Sequence, residues 1–489
     1  MSKDLKKKTF TGFFWLLAGS SSQTALQVLV LSVLARLVAP EEFGVISIAI
    51  IFLGFSKIFS QLGMGAAIVQ RKAITTEHIR TAYTTSLIIG VFFCVLAIFL
   101  SNSFAIYFNM PELSKVLKYI SSIFIIDSFI SVSQSLLQRN LRMKFFALSE
   151  LISYLVGFGF VGVALAFLDY GLYALVYAYI VQALVRAIIV SFLEPHSIIP
   201  FFDKKSFKEL FFFGSGHTIA KVANYFAGQG DNLVIGKTLS ADALGYYSRA
   251  YQLMVAPVRL IGQSLNVVLF PALSSIQTDK EKVKRAYFKS TQLVAYASLL
   301  FSAILFVNAR EIVLILLGRN WIEVIVPFQI LAVGTIFRMS YKISDSLIKA
   351  LGDVHKRAII QIIYATCVFL FSYIGHFWGI EGVAIGVFTA IFFNFIFMTH
   401  LSLLQFNETW GRFIKIHIKP LILSICVFLF AYIILRVLRL LTFNIIITEF
   451  LYLLLVSCFL LIVVLRFKAV LGISDEINIL MKKIRKRKQ

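Results

Sequence analysis

Apolar residues in this chain come in runs of about 20, each closed by charged, Gly or Pro residues, which is the length a helix needs to cross a bilayer. Six runs, 12–38, 44–70, 81–102, 115–138, 145–168 and 171–193, precede a longer link marked by Pro195, Pro200, Lys204 and Lys205. Six more follow it at 208–236, 243–270, 286–308, 323–349, 357–378 and 380–404, and a final pair covers 418–440 and 444–466. This pattern predicts an all-α polytopic membrane protein of about 14 transmembrane helices. The expected organisation is a six-helix bundle over 1–193, a linker over 194–207 and a second six-helix bundle over 208–404. An additional transmembrane hairpin over 405–466 and a basic tail over 467–489 complete it.

The two bundles read as copies of one another. The turn after the first run reappears about 200 residues later, so that Arg36 meets Lys237, Glu41 meets Asp242, Gly44 meets Gly245, Ser47 meets Ser248 and Ala49 meets Ala250. A second stretch, Leu136 to Glu150, corresponds to Leu347 to Gln361; both read as helix, basic loop, helix. Six runs per copy make the repeats parallel, so two pseudo-symmetric bundles should face each other about an axis along the membrane normal.

Composition agrees with a bilayer solvent: the 489 residues are 59% hydrophobic and only 15% charged, with mean hydropathy +0.87, whereas soluble domains sit near 25% charged. The net charge of +23 does not point to nucleic acid, because the bases lie in short connections and a tail beside apolar runs, without interleaved aromatics. Alternate connections hold most of the Lys and Arg: the N-terminal segment, 71–80, 139–144, 204–208, 280–285, 349–357, 412–419 and the tail. The positive-inside rule then puts both termini in the cytoplasm, with Arg436 and Arg439 as exceptions in the last hairpin. The first run, after Lys3, Lys6, Lys7 and Lys8, is too long for a signal-peptide core and reads as an uncleaved span.

No nucleotide loop, HExxH or GxSxG elbow is present, so no catalytic residue is proposed. Cys94, Cys367, Cys426 and Cys458 lie inside apolar runs without CxxC spacing, and the seven histidines form no ligand pair; no metal site is expected. What remains is a set of ionisable residues at membrane depth, each costly there unless it faces a cavity or a partner. The bases are Lys57, Lys221, Arg249, Arg259, Arg338 and Lys342, joined by Arg186 nearer an end; the acids are Asp127, Asp231, Asp345 and Glu150. The repeat sets Lys57 one position from Arg259 and superposes Asp127 on Arg338, so these faces converge on one central space. Bases outnumber acids, and Arg forks suit phosphate, so the expected ligand is anionic. Internal pairing or snorkelling to the interface is the expectation for Arg186, Glu150 and Lys342, nearer the cytoplasmic ends, while Arg249 and Asp231 fit a mutual salt bridge as well as a ligand role. Trp15, Trp321, Trp378 and Trp410 read as interfacial anchors, and the other aromatics as lipid-facing. Gly157-Phe-Gly159, Gly214-Ser-Gly216 and Gly228-Gln-Gly230 read as close packing, bends or hinges.

Several phrases resemble the Wzx-type polysaccharide flippases, in the branch of colanic and teichuronic acid exporters. They are Gly12-Phe-Phe-Trp15, Gln27, Leu34-Ala-Arg-Leu37, Ala39-Pro-Glu-Glu-Phe-Gly44, Leu62-Gly-Met-Gly65, Phe213-Gly214, Asp231-Asn-Leu-Val-Ile-Gly236, Leu244-Gly-Tyr-Tyr247, Pro271, and Leu317-Gly318 before Trp321. The resemblance implies the multidrug/oligosaccharidyl-lipid/polysaccharide exporter superfamily and a location in the cytoplasmic (inner) membrane. It further implies translocation of a polyprenyl-diphosphate-linked oligosaccharide by alternating access through a cationic cavity, beside a polymerase and export machinery. No cofactor is implied, a proton or sodium gradient is the candidate driving force, and the Asp231-Asn232 phrase carries over with a structural role. Two rivals remain at this point. A cation-coupled drug antiporter of the same superfamily would want acids to dominate the cavity, and a membrane glycan polymerase or ligase would want a long outer loop with paired carboxylates.

Overall fold

A computed structural model describes the backbone of residues 3–61, 64–71, 73–441 and 444–471. Side chains are described there except at 3–14, 16–17, 56–57, 59–61, 213–221, 223–224, 260–268, 354, 464–465 and 467–471. The first half contains α1 (Lys3–Leu37), α2 (Pro40–Gln61), α3 (Met64–Gln70), α4 (Thr76–Phe108), α5 (Glu112–Ile120), α6 (Ser122–Arg139), α7 (Met143–Tyr154), a π-helical stretch (Leu155–Gly162), α8 (Val163–Phe167) and α9 (Leu172–Leu193). The second contains α10 (Lys204–Thr238), α11 (Ala241–Ser275), α12 (Lys280–Val307), α13 (Ala309–Leu316), a 3₁₀ turn (Arg319–Val324), α14 (Ile325–Ala350), α15 (Val354–Gly375) and α16 (Gly379–Leu404). The closing pair is α17 (Trp410–Leu440) and α18 (Ile445–Leu471).

Each of the predicted apolar runs is largely helical among its described residues, and the chain is a multi-pass, all-α membrane protein. Ten stretches among the described residues are long and apolar enough to cross a membrane, one of which, His355–Leu404, holds both α15 and α16. The long helices outside those ten, α2, α10 and α11, carry many of the predicted site residues. Outward faces are paved with Phe92, Phe99, Ile106, Phe192, Leu440 and Phe450, as lipid contact requires. Helix starts are sharp because oxygen side chains satisfy the first free amides: Asp203 accepts from Ser206 N at 2.7 Å, Ser240 from Ala243 N at 3.2 Å and Asp279 from Lys282 N at 3.1 Å.

The halves meet where α2 crosses α11, and the crossing is made by the repeat itself. A Cβ on Gly44 would stand 1.9 Å from the Ala241 carbonyl oxygen, and one on Gly245 would stand 2.0 Å from the Pro40 carbonyl oxygen. Gly44 with Gly245, and Pro40 with Ala241, are the very positions the sequence superposes. The contact is therefore self-complementary, as in a two-fold dimer interface. Ser47 and Ser248, another superposed pair, share a hydrogen bond of 3.3 Å.

Trp321 corrects one expectation. It is fully buried, donates from Nε1 to the Ala35 carbonyl at 2.7 Å, and meets Phe43 and Tyr246 edge-on. The indole therefore seals the end of α1 against the second bundle instead of anchoring in headgroups, helped by Arg36, whose Nη2 reaches the Ile315 carbonyl at 2.7 Å. At the opposite end the first turns of α10 lie on the first bundle, where Phe207 and Leu210 join Met64, Ala82, Tyr83 and Val132. Gly157 lies in the π-helical stretch, close to the α9 backbone at Ala178 and Gln182, which is the tight packing its sequence context suggested.

Because backbone, not a flexible side chain, faces Gly44 and Gly245, Gly44→Leu or Gly245→Leu should cost about 1–3 kcal/mol or more through overpacking. Gly228→Ala, where nothing lies within 4 Å, should be neutral or mildly stabilising. Thermal unfolding of the purified variants in detergent checks the contrast.

Candidate functional site

The bases at membrane depth divide sharply by partner. In the first bundle Arg186 on α9 bridges Asp127 on α6 and, at 3.1 Å, Glu150 on α7. All three side chains are largely buried, so this is an internal ion triad, and Asp127 is committed to it. Asp345 on α14 is likewise taken, by Lys349 at 2.5 Å and by Arg357 of α15.

Arg249, Arg259, Arg338 and Lys342 differ: among the described residues none forms an ion pair. Arg249 and Arg259 on α11 line a cavity of about 290 Å³ with Gln27 of α1, Tyr154 of α7, and Tyr179 and Gln182 of α9. It lies between the first bundle and α11. Arg249 donates from Nη1 to Gln252 at 2.7 Å, sits 4.7 Å over the Phe43 ring, and has Tyr154 and Tyr179 within electrostatic reach. Its buried Nε has no hydrogen-bond acceptor. The Arg249–Asp231 bridge, one of two sequence readings, does not form. Asp231 instead accepts from the Tyr247 hydroxyl at 2.7 Å and from the Asn232 amide at 2.9 Å.

Arg338 on α14 donates from Nη2 to the Tyr251 hydroxyl at 2.6 Å and lies 5.0 Å over that ring, leaving its buried Nη1 without an acceptor. Tyr341 and Tyr364 are within electrostatic reach, and Lys342 adds a second positive charge beside it. Phenol oxygens and aromatic faces hold the charge, stabilising a desolvated cation by about 2 kcal/mol, and the Asp231 carboxylate lies within electrostatic reach of Arg338 without forming an ion pair. The side chains of Lys57 and Lys221 lie outside those described.

The sequence reading missed this tyrosine and glutamine shell. Aromatics were read as lipid filler, yet Tyr247 and Tyr251, one turn apart on α11 and astride Arg249, carried a signal. A phenol at membrane depth wants a polar partner, and a base close to it in the chain is an obvious one. What the arrangement can do is hold an anion: Arg249, with an unused buried N–H, and Arg259 line the cavity between the first bundle and α11, and Arg338 and Lys342 lie within electrostatic reach of Arg259.

Fold and site together define a transporter-like membrane protein built from two facing helical bundles. The model of the polysaccharide biosynthesis protein family matches residues 33–326, and the chain belongs to that family. It is 26% identical over 388 residues to an uncharacterized membrane protein in the cps region of Klebsiella pneumoniae, covering 78% of this chain and 79% of that one. It is 25% identical over 352 residues to the lipopolysaccharide biosynthesis protein WzxC of Escherichia coli, covering 72% and 71%. Among solved structures it resembles the lipid II flippase MurJ in an inward closed conformation, with TM-score 0.73 and 16% identity over 96% of this chain and all of that one. An inward-facing multidrug resistance MATE transporter follows at TM-score 0.61 and 16% identity, covering 81% of this chain and 94% of that one.

Removing the base of the buried triad leaves two carboxylates facing each other, so Arg186→Leu should destabilise by about 3–5 kcal/mol. Pairing it with Asp127→Asn should recover part of that loss, measured by unfolding in detergent.

Proposed function

We propose that the protein is a flippase that moves polyprenyl-diphosphate-linked oligosaccharide across the cytoplasmic membrane for surface polysaccharide synthesis. The observation that carries this reading is the set Arg249, Arg259, Arg338 and Lys342, none of them in an ion pair among the described residues, with Arg249 and Arg259 lining the cavity between the first bundle and α11 and spare N–H donors on Arg249 and Arg338. A diphosphate needs such forks, and in low dielectric each charge-assisted hydrogen bond counts for more than in water. Membership of the polysaccharide biosynthesis family and the MurJ-like fold support it, as does the name of WzxC.

The face bearing the α1–α2 and α10–α11 turns is then the outer face, with both termini cytoplasmic as the Lys/Arg distribution asks. That face is shut by the Gly44–Ala241 and Gly245–Pro40 contacts and by Trp321. A cavity of about 290 Å³ falls at the bottom of the range of about 300–1,000 Å³ that holds drug-sized ligands. The headgroup and sugars therefore enter only when the bundles part on the cytoplasmic side, while the polyprenyl tail stays in lipid. Closure there and parting at the glycine crossing would deliver the load outside, driven by a proton or sodium gradient and received by the polymerase and export machinery.

A drug antiporter is less well supported, because the acids Asp127 and Asp345 are tied up in ion pairs and Asp231 is held by the Tyr247 hydroxyl and the Asn232 amide. A polymerase or ligase would need an outer domain, and connections between the described helices are short.

Arg249→Ala and Arg338→Ala should each cut export by about 10–100-fold, the value of one charged hydrogen bond or pair of them at roughly 1.5–3 kcal/mol. The assay is surface polysaccharide in a host lacking its own copy, with the variant's membrane level checked by immunoblot. Accumulation of lipid-linked oligosaccharide inside is the expected partner result. Normal export by both variants at normal level would remove the reading.

A further inference from the structure

A second buried polar cluster lies far from the cationic cavity, where the closing helix pair leans on the second bundle. Asn308 ends α12, Glu311 starts α13, Arg439 closes α17, and Glu449 and Tyr452 stand one turn apart near the start of α18. Arg439 grips one oxygen of Glu311, with Nη2 at 2.5 Å and Nε at 2.8 Å from Oε1. Asn308 Nδ2 donates to Glu449 Oε1 at 2.8 Å. Glu449 is within electrostatic reach of Glu311 and Arg439, and Tyr452 within reach of both carboxylates.

Two features of this cluster are not explained by packing. The first is its charge: two carboxylates against one guanidinium leave one net negative charge, with Glu311 at 4%, Asn308 at 1% and Tyr452 at 0% exposure, Glu449 half-buried and Arg439 exposed. Such a charge is expensive at membrane depth unless something cancels it. The second is its unmet valence. Glu311 Oε2, Glu449 Oε2, Asn308 Oδ1 and the Tyr452 hydroxyl are all buried without a hydrogen-bond partner. Four such atoms gathered from three elements, every one an oxygen, do not resemble the scattered orphans found elsewhere among the described residues.

We infer that Glu311, Glu449, Asn308 and Tyr452 form a binding site for one hard monovalent cation, with Na⁺ the ion that fits. A single positive charge brings the cluster to neutrality, where a divalent ion would overshoot. An all-oxygen set of carboxylate, amide and phenol selects a hard ion over zinc or copper, which want nitrogen or sulfur. No group of three His, Cys, Asp or Glu gathers among the described residues, as a transition-metal site would ask. The cation would tie α18 to α12 and α13, while Arg439 ties α17 to the same place. This also gives Arg439, an exception to the basic-side pattern, a reason to be where it is. The inference does not depend on the flippase reading, since it concerns ion binding and not the load carried.

The test uses the purified full chain in detergent at pH 7.5, unfolding it thermally in NaCl, KCl or choline chloride at equal ionic strength. Saturable stabilisation by Na⁺ over choline is expected, about 2 °C or more at several times the dissociation constant. Glu449→Gln removes the surplus charge, so it should fold, match or exceed the wild type in choline, and lose the Na⁺ response. Tyr452→Phe should keep the fold and raise the Na⁺ concentration needed for half the effect. An absent Na⁺ response, or an equal one in Glu449→Gln, overturns the site. If lowering the pH from 8 to 6 in choline stabilises the wild type but not Glu449→Gln, and Na⁺ adds nothing, a proton occupies the cluster and the sodium assignment is overturned. The titratable groups facing one another there are Glu311, Glu449, Arg439 and Tyr452.

Discussion

Everything in this molecule is arranged about the place where α2 and α11 cross on bare backbone. Gly44 lies against the Ala241 carbonyl and Gly245 against the Pro40 carbonyl, at distances no side chain could tolerate. Such an approach brings two helices close enough for Ser47 and Ser248 to bond directly, and small residues are what allow it in a membrane. Because the two contacts are copies related by the repeat, they fix a pseudo-two-fold axis at that point. Flanking seals then follow, with Trp321 and Arg36 holding α1 to the second bundle. Beside the crossing the cavity opens, with Phe43 and Ile46 of α2 and Arg249 of α11 in its wall.

The crossing also decides which charges can matter. α11 leaves it carrying Arg249 and then Arg259 down the inner side, and α14, packed on α11, presents Arg338 and Lys342. Packing of this kind puts Arg249 and Arg259 on the cavity wall and the acids Asp127 and Asp345 within their own bundles. Asp127 and Asp345 meet bases there and are spent, whereas Arg249 and Arg338 meet tyrosines. A tyrosine supports a cation while leaving its field intact, so the cavity lined by Arg249 and Arg259 keeps a positive potential that a carboxylate in its wall would have erased.

Much of this was legible in the chain. Apolar run length gave the helices, since the bilayer imposes a fixed span, and the Gly44–Gly245 and Ser47–Ser248 registry gave the repeat. That the superposed residues touch each other was not readable, because registry says which positions are equivalent and nothing about which are adjacent. Internal pairing of Arg186 and Glu150 followed from their depth. Trp321 was misread for a physical reason: at a helix end an indole suits the headgroup layer and an interface between bundles equally, and only the carbonyl of Ala35 decides. The Asp231–Arg249 bridge failed similarly. Charges of opposite sign at comparable depth suggested attraction, but Tyr247 sits nearer on α11 and satisfies the carboxylate first.

The π-helical stretch at Leu155–Gly162 shows how a local irregularity serves the same geometry. Adding a residue to one helical turn rotates the following segment and often marks a functional site. Here it falls in the helix that offers Tyr154 and Phe158 to the cavity wall. Within it Gly157 lets α9 approach until a Cβ would stand 2.7 Å from the Ala178 carbonyl. Drawing α9 inward is what brings Tyr179 and Gln182 to the same wall as Tyr154. The irregular helix and the paired glycines thus answer one demand at two places: backbone must come close where polar side chains are to converge.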